Sequence, residues 1–216
     1  MGGTAGRRGK TAPHPTSCLT ARFTKALVYA TKLHAGQCRK GTSIPYISHL
    51  LGVASLAFEY GPDQDGPNEV LAISALLHDA VEDQGGAATL RVITRRFGKT
   101  VAAIVSGCSD TDIVPKPPWR SRKEAYLTQL AQESPSVRFV SACDKLHNIR
   151  AIIRDYRAIG DNVWDRFGGR KNGTLWYYGA LVAVYRGAER TSVVEEFRRE
   201  VATLRRLVRA RDQGQS

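Results

Sequence analysis

Residues 70–83 read VLAISALLHDAVED. The first eight are apolar except Ser74, and on a helix they cover every face, which places this segment in the middle of a core. Asn68 stands where an N-cap would start it. Four ionisable residues, His78, Asp79, Glu82 and Asp83, follow the apolar run directly, and burying them is costly unless they bind something. On one continuous helix His78 shares a face with Glu82, and Asp79 with Asp83, each pair one turn apart. Imidazole plus carboxylate is a donor set for a divalent metal such as Mn, Fe or Zn. The same residues also suit an exposed helix end with a satisfied histidine and solvated acids. The stretch alone leaves both readings open.

Outward from this segment, the pattern is helical. Leu19, Phe23, Ala26, Leu27, Ala30 and Leu33 recur at helical spacing, with Gly36 as a stop. A loop, QCRKGTSIPYIS (37–48), leads to a helix from about His49 to Tyr60, which the turn cluster GPDQDGP (61–67) ends. Further helices are expected at 90–97, 100–108, 122–133, 137–159, 174–186 and 193–210. Ser121 with Glu124, and Ser192 with Glu195, have capping-box spacing. No alternating run lies between hairpin turns and no fixed-period repeat is present, so an all-α bundle is expected. Residues 1–17 read as a flexible basic arm, 18–190 as the folded domain, and 191–216 as a charged helix and tail. Two polar connections, DTDIVPKPPWR (110–120) and GDNVWDRFGGRKNGT (160–174), are long enough to carry function; the first reads as an exposed ordered loop or a mobile lid.

The chain of 216 residues is 42% hydrophobic and 24% charged, enough apolar surface for a globular core and too much for a disordered chain. No apolar run is long enough to span a membrane, and the basic N-terminus lacks the apolar segment of a signal peptide, so a cytoplasmic protein is expected. Cys18, Cys38, Cys108 and Cys143 lie far apart without a C-x-x-C, which points to reduced thiols rather than a thiolate zinc site or disulfide framework. The net charge of +12 invites phosphate-bearing partners. No basic stripe with interleaved aromatics accompanies it, so a solvated positive surface is favoured over a nucleic-acid site.

Two distant residues bear on the open choice at 78–83. His49 begins a helix just after PYIS, and Asp144 is embedded in VRFVSACDKLHNI (137–149), where a bare carboxylate is unfavourable. Each alone is more often a capped or hydrogen-bonded structural residue. Together with His78 and Asp79 they supply two imidazoles and two carboxylates from three helices, a plausible set for one divalent cation with room left for water and substrate.

The order His49, His78-Asp79, Asp144 resembles the HD superfamily of metal-dependent phosphohydrolases. HAGQCRKGTSIPYISH (34–49), ALLHDAVEDQ (75–84), TLRVITRRFG (89–98) and ACDKLHNIR (142–150) are similar to the hydrolase domain of the Rel/SpoT alarmone enzymes. They are especially similar to the free-standing small alarmone hydrolases, including the metazoan SpoT homologue type, over about residues 19–187. The resemblance implies an HD-domain helical bundle that splits the 3′-diphosphate from (p)ppGpp, giving GDP or GTP and pyrophosphate, with a manganese ion. It implies His49, His78, Asp79 and Asp144 as metal ligands, and Glu82 and Asp83 as the pair that positions and activates water. It further implies Asn148 at the ribose, Arg39 on the guanine, Lys40 near the phosphates and Lys145 as another phosphate contact. The acids near the metal would repel an anionic substrate, and Arg39, Lys40 and Lys171 are candidates to offset that.

The chain departs from that pattern in places. Leu50 replaces the Pro that usually follows the first metal histidine, and Ala151 stands where some relatives have Thr. LWYYGALVAVY (175–185) matches the substrate-lining segment only loosely. Trp176, Tyr177 and Tyr178 could line a base pocket or simply belong to the core. His14 and His147 receive no role. One charged helix follows Ala188, so no synthetase half is expected. Two other functions compete: an HD phosphohydrolase acting on another nucleotide such as NADPH, and a basic protein using the scaffold to hold nucleic acid or a partner. The full set of acids and imidazoles favours an enzyme.

Overall fold

Thr20 starts the first helix, its Oγ1 accepting the Arg22 N–H at 3.1 Å, and α1 runs over Ala21–Leu33. The protein, a computed structural model describing residues 19–61, 68–111, 115–188 and 190–214, continues with α2 (Ile47–Glu59), α3 (Glu69–Leu77), α4 (Ala80–Asp83) and α5 (Gly86–Cys108). Then follow α6 (Trp119–Gln132), α7 (Pro135–Ile159), a 3₁₀ helix (Gly160–Arg166), α8 (Arg170–Ala188) and α9 (Ser192–Gly214). Among the described residues the only β pairing is an isolated bridge between Cys38 and Pro45. The all-α bundle expected from the sequence is what forms. No described helix is long and apolar enough to cross a membrane. The expected arm at 1–17 and most of the turn at 61–67 lie outside the described residues.

α3 is the central element. Asn68 caps it by accepting the Leu71 N–H, and every residue from Leu71 to Leu77 is buried. It packs against α1, α2, α5 and α7, which is the position its all-round apolar sequence demands. The helix does not run unbroken to Asp83. It ends at Leu77, the backbone turns at Asp79 (φ −93°, ψ −3°), and α4 adds one further turn. In a regular helix neighbouring side chains point about 100° apart. The break lets His78 and Asp79 face the same point.

The two helices expected at 90–97 and 100–108 are the arms of α5, which bends at Gly98 (φ 87°, ψ 165°). Only glycine adopts that conformation readily. The Phe97 carbonyl at the bend accepts the Arg22 guanidinium. α6 begins at Trp119, so Ser121 lies inside it and the expected capping box is not used; Glu124 pairs instead with Arg120 at 2.7 Å. Likewise α9 begins at Ser192 itself. Ser134 caps α7, accepting the Val137 N–H, with Pro135 in the first turn where its missing N–H costs nothing.

The polar connection at 160–174 is more ordered than its composition implies. Its first part is the 3₁₀ helix, with Val163 and Trp164 buried and the Trp164 indole donating to Asp161 at 2.9 Å. Its glycines make room for Trp119: a Cβ on Gly169 would lie 2.5 Å from the indole ring, and on Gly168 or Gly173 3.1 Å. Tyr126, Ser141 and Tyr185 join α6, α7 and α8 in a buried chain of hydroxyls, each link 2.7 Å. α9 packs on α7 and α8 through Val193, Val194, Phe197, Val201, Leu204 and Val208, all buried in the same core.

Candidate metal centre and substrate cleft

The four proposed ligands come from three directions. His49 sits in the first turn of α2, His78 and Asp79 at the break after α3, and Asp144 midway along α7. Their packing brings them together. Asp144 Oδ1 lies 3.2 Å from His49 Nε2 and 3.5 Å from His78 Nε2; Asp79 Oδ2 lies 3.5 Å and 2.9 Å from the same two nitrogens. Both imidazoles and Asp144 are buried, and Asp79 keeps 20% of its side chain exposed. His49, His78 and Asp79 form a compact His-His-Asp group.

The hydrogen bonds show what this group fits. His78 Nδ1 is 2.8 Å from the Ala75 carbonyl, which can only accept, so Nδ1 carries a proton. In the neutral ring Nε2 is then a bare lone pair, and it faces two carboxylate oxygens without a satisfied hydrogen bond. Electron pairs buried against one another call for positive charge between them, a proton or a metal ion. A divalent metal ion, taking imidazole nitrogen and carboxylate oxygen, suits that donor set. Burial lowers the proton affinity of His78, yet Asp79 and Asp144 outweigh it and hold the imidazolium well above its usual range. Burial likewise raises Asp79 and Asp144; His78 acting on the first, and Lys145 with His78 on the second, outweigh it and hold both well below the carboxylate range. All three directions express the same demand for positive charge.

A surrounding layer, mostly unforeseen, fixes these ligands. His147, left without a role by the sequence, places Nδ1 2.9 Å from His49 Nδ1. Burial, with the charge of His49 next, pushes His147 down to about 3, and this contact holds the His49 ring with Nε2 turned to the cluster. Its spacing, one helical turn from Asp144, was the available signal. Tyr46 donates to Asp79 Oδ2 at 2.6 Å. Asn148 donates to Asp144 Oδ1 at 2.5 Å and accepts from Arg39 at 3.0 Å, while Lys145 donates to Asp144 Oδ2 at 2.5 Å. Burial lowers Lys145, but Asp144 raises it further, so its charge is firmly held.

A cleft of about 420 Å³ opens beside the cluster. It is lined by Asp79, Glu82, Asp83, Arg39, Lys40, Lys145 and Asn148, all singled out from the sequence, and by Lys116, Trp119, Arg122, Lys123, Arg154 and Arg166, which were not. Eight cationic side chains stand against four carboxylates there, counting Asp155 with Asp79, Glu82 and Asp83. Lys116 and the Arg122–Lys123 pair come from the 110–120 connection and the start of α6, where no motif marks them. Lys116 donates to Glu82 at 2.8 Å, and Asp110 binds Arg122 and Lys123. Asp83 accepts from Gln37 at 2.8 Å. Burial, and then the charge of Asp110 on Glu82 and of Asp79 on Asp83, raises both carboxyls. Two carboxylates with raised proton affinity beside a cation site can take a proton from water.

Tyr177 and Tyr178 line the cleft, but Trp176 does not; Arg120 stacks over its ring at 3.3 Å. Lys171 is also absent from the cleft and pairs with Asp161 and Asp212.

Comparison with known proteins places the chain in a family. The HD domain family matches residues 26–174. Human guanosine-3′,5′-bis(diphosphate) 3′-pyrophosphohydrolase MESH1 is 32% identical over 62% of this chain and 71% of its own length, and the Danio rerio protein of that name is 34% identical over the same shares. A probable GTP pyrophosphokinase of Mycobacterium leprae is 32% identical over 59% of this chain but only 15% of its own length. Among solved structures, one described as a metazoan ortholog of SpoT that hydrolyses ppGpp superposes with a TM-score of 0.70 at 25% identity, covering 91% of this chain and 99% of that one. The chain therefore belongs to the HD domain family, within the branch that holds the MESH1 and SpoT-like hydrolases.

Proposed function

We propose that the protein hydrolyses the 3′-diphosphate of guanosine 3′,5′-bis(diphosphate), and of its pentaphosphate form, releasing GDP or GTP and pyrophosphate. One observation carries the reading: a buried cluster of two imidazoles and two carboxylates opens into a cleft whose eight cationic side chains outnumber its acids two to one. Such a cleft suits a substrate with phosphates at both ends of a ribose. The likeness to MESH1 over 71% of that protein supports the same substrate.

His49, His78, Asp79 and Asp144 would hold the metal, which we take to be manganese. Bound there, it would supply positive charge against the reacting phosphate and make a neighbouring water more acidic. Glu82 and Asp83 orient that water and accept its proton. The water oxygen joins the phosphorus next to the ribose, the bond from that phosphorus to the 3′ oxygen breaks, and the 3′ oxygen gains a proton. Lys145 and the 116–123 cations neutralise the departing pyrophosphate. Asn148, fixed between Asp144 and Arg39, contacts the ribose, and Arg39 packs on the base with Lys40 nearby. The free thiols Cys38, Cys108 and Cys143 support a reducing, cytoplasmic compartment.

The test is product analysis with guanosine 3′,5′-bis(diphosphate), manganese and ¹⁸O-water. GDP and ¹⁸O-labelled pyrophosphate in equal amounts are expected. Orthophosphate as product, or no turnover while NADPH or another nucleotide is cleaved, would overturn the substrate assignment.

A further inference from the structure

A second cavity, about 610 Å³, lies apart from the metal cleft. It is a groove between α8 and α9, lined by Arg198, Arg205, Arg206 and Arg209 over a floor that includes Gly179 and Val182. We propose that this groove is a second anion site, shaped for a small molecule with vicinal phosphates such as a nucleoside polyphosphate.

Among the described residues, three of these four arginines have no carboxylate partner. Between Glu200 and Asp212 the chain reads VATLRRLVRAR, with four arginines and no acid. Glu195 holds Arg198 at the edge of the groove and also pairs with Arg186; the other carboxylates described on α9 pair outside it, Glu196 with Arg150 and Arg199, Glu200 with Arg150, and Asp212 with Lys171. Among the described residues no carboxylate pairs with Arg205, Arg206 or Arg209. These three share one turn of α9, and Arg205 and Arg209 are separated by about 6 Å along its axis. Long arginine side chains one turn apart can converge on one polyphosphate, each guanidinium able to bind two oxygens.

The groove also shows a prepared seat rather than loose surface charge. The Arg205 guanidinium lies over the Gly179 backbone, where a Cβ would come within 2.0 Å of Nη2, and donates to the Leu175 carbonyl at 3.3 Å. That bond fixes one edge of the fork and leaves the rest for a ligand. Val182, Val201 and Ala202 give an apolar floor for the organic part of the ligand. The volume falls in the range of roughly 300–1,000 Å³ common to small-molecule sites. α8 forms a wall of both cavities, since Tyr178 lines the metal cleft and Gly179 the groove. The assignment stands independently of which substrate the cleft hydrolyses.

Calorimetric titration of the full chain with GTP and with inorganic tripolyphosphate tests the proposal, with single-stranded (dT)₁₂ as the comparison. The wild type should show a second site for both small probes. In R205A/R206A/R209A that site should weaken about tenfold or more, and Gly179→Ala, which displaces Arg205, should weaken it without removing any charge. Hydrolysis in the triple variant, none of whose residues lines the cleft, should stay within about twofold of wild type, which also reports correct folding. A single site in the wild type, a second site unaltered by the triple substitution, or binding of (dT)₁₂ alone through these arginines would each overturn it.

Discussion

His147 Nδ1 lies 2.9 Å from His49 Nδ1, on the side of the ring opposite Asp144 and Asp79. One proton lies between the two rings. A metal-ligating His49 needs its Nε2 lone pair, so in that state its Nδ1 carries the proton and His147 Nδ1 accepts it. His147 is therefore a positioning residue for a proposed metal ligand. Replacing it by Ala should weaken manganese binding about tenfold or more, the usual cost of losing the group that orients a ligating histidine. Gln, which retains an acceptor, should restore part of the loss. Gly52→Ala should mimic the defect, because its Cβ would stand 2.3 Å from the His147 ring. Manganese titration monitored by electron paramagnetic resonance checks all three.

Glu82→Gln should keep the metal and lose turnover by about 10²–10⁴-fold, the range for removing a general base. The Gln still accepts from Lys116, so the cleft keeps its shape. Steady-state rates combined with metal analysis read both halves of the outcome. A rate near wild type would move water activation to another residue.

Much of this site was legible because its chemistry is carried by residues whose burial is improbable without a ligand. His78 and Asp79 after an apolar run, and Asp144 within one, announce themselves by cost. The supporting layer was not legible for a different reason. Tyr46 and Gln37 come from an irregular loop whose path no periodicity describes, and they reach Asp79 and Asp83 only once that loop is folded onto the core. Lys116, Arg122 and Lys123 lie in and after a proline-rich connection, where the sequence shows charge but not direction. The break at His78-Asp79 was missed because apolar periodicity continues smoothly through it. Ser121 misled for a related reason: its spacing to Glu124 imitates a cap, while the chain already turns helical at Trp119.

Asp110 is held by Arg122 and Lys123, and its own side chain is 4% exposed. Asp110→Ala leaves two cations without their partner and should cost about 3 kcal/mol, as for one broken member of a buried pair. Burial raises the Asp110 carboxyl, but Lys123 and Arg122 outweigh it and the pKa is lowered on folding. Its stabilisation is therefore complete above the unfolded value of about 4 and is lost as the pH falls through the folded value. Denaturant unfolding across this range should show a shallower acid limb in Asp110→Asn than in wild type.

Gly169→Ala should disturb the cleft without touching the metal. The new Cβ would lie 2.5 Å from the Trp119 ring, which forms part of the cleft wall, so the indole must move. The expected result is a KM raised several-fold with manganese affinity unchanged. Initial-rate kinetics over a substrate series separate that from a change in kcat.

We assign His49, His78, Asp79 and Asp144 to one shared divalent ion. Manganese titration of metal-free protein, with bound ion counted by electron paramagnetic resonance in wild type, His49→Ala and Asp144→Ala, tests it directly. One ion per wild-type chain, with binding lost in both variants although their helical circular dichroism persists, is the predicted result. Undiminished binding in either variant would contradict it.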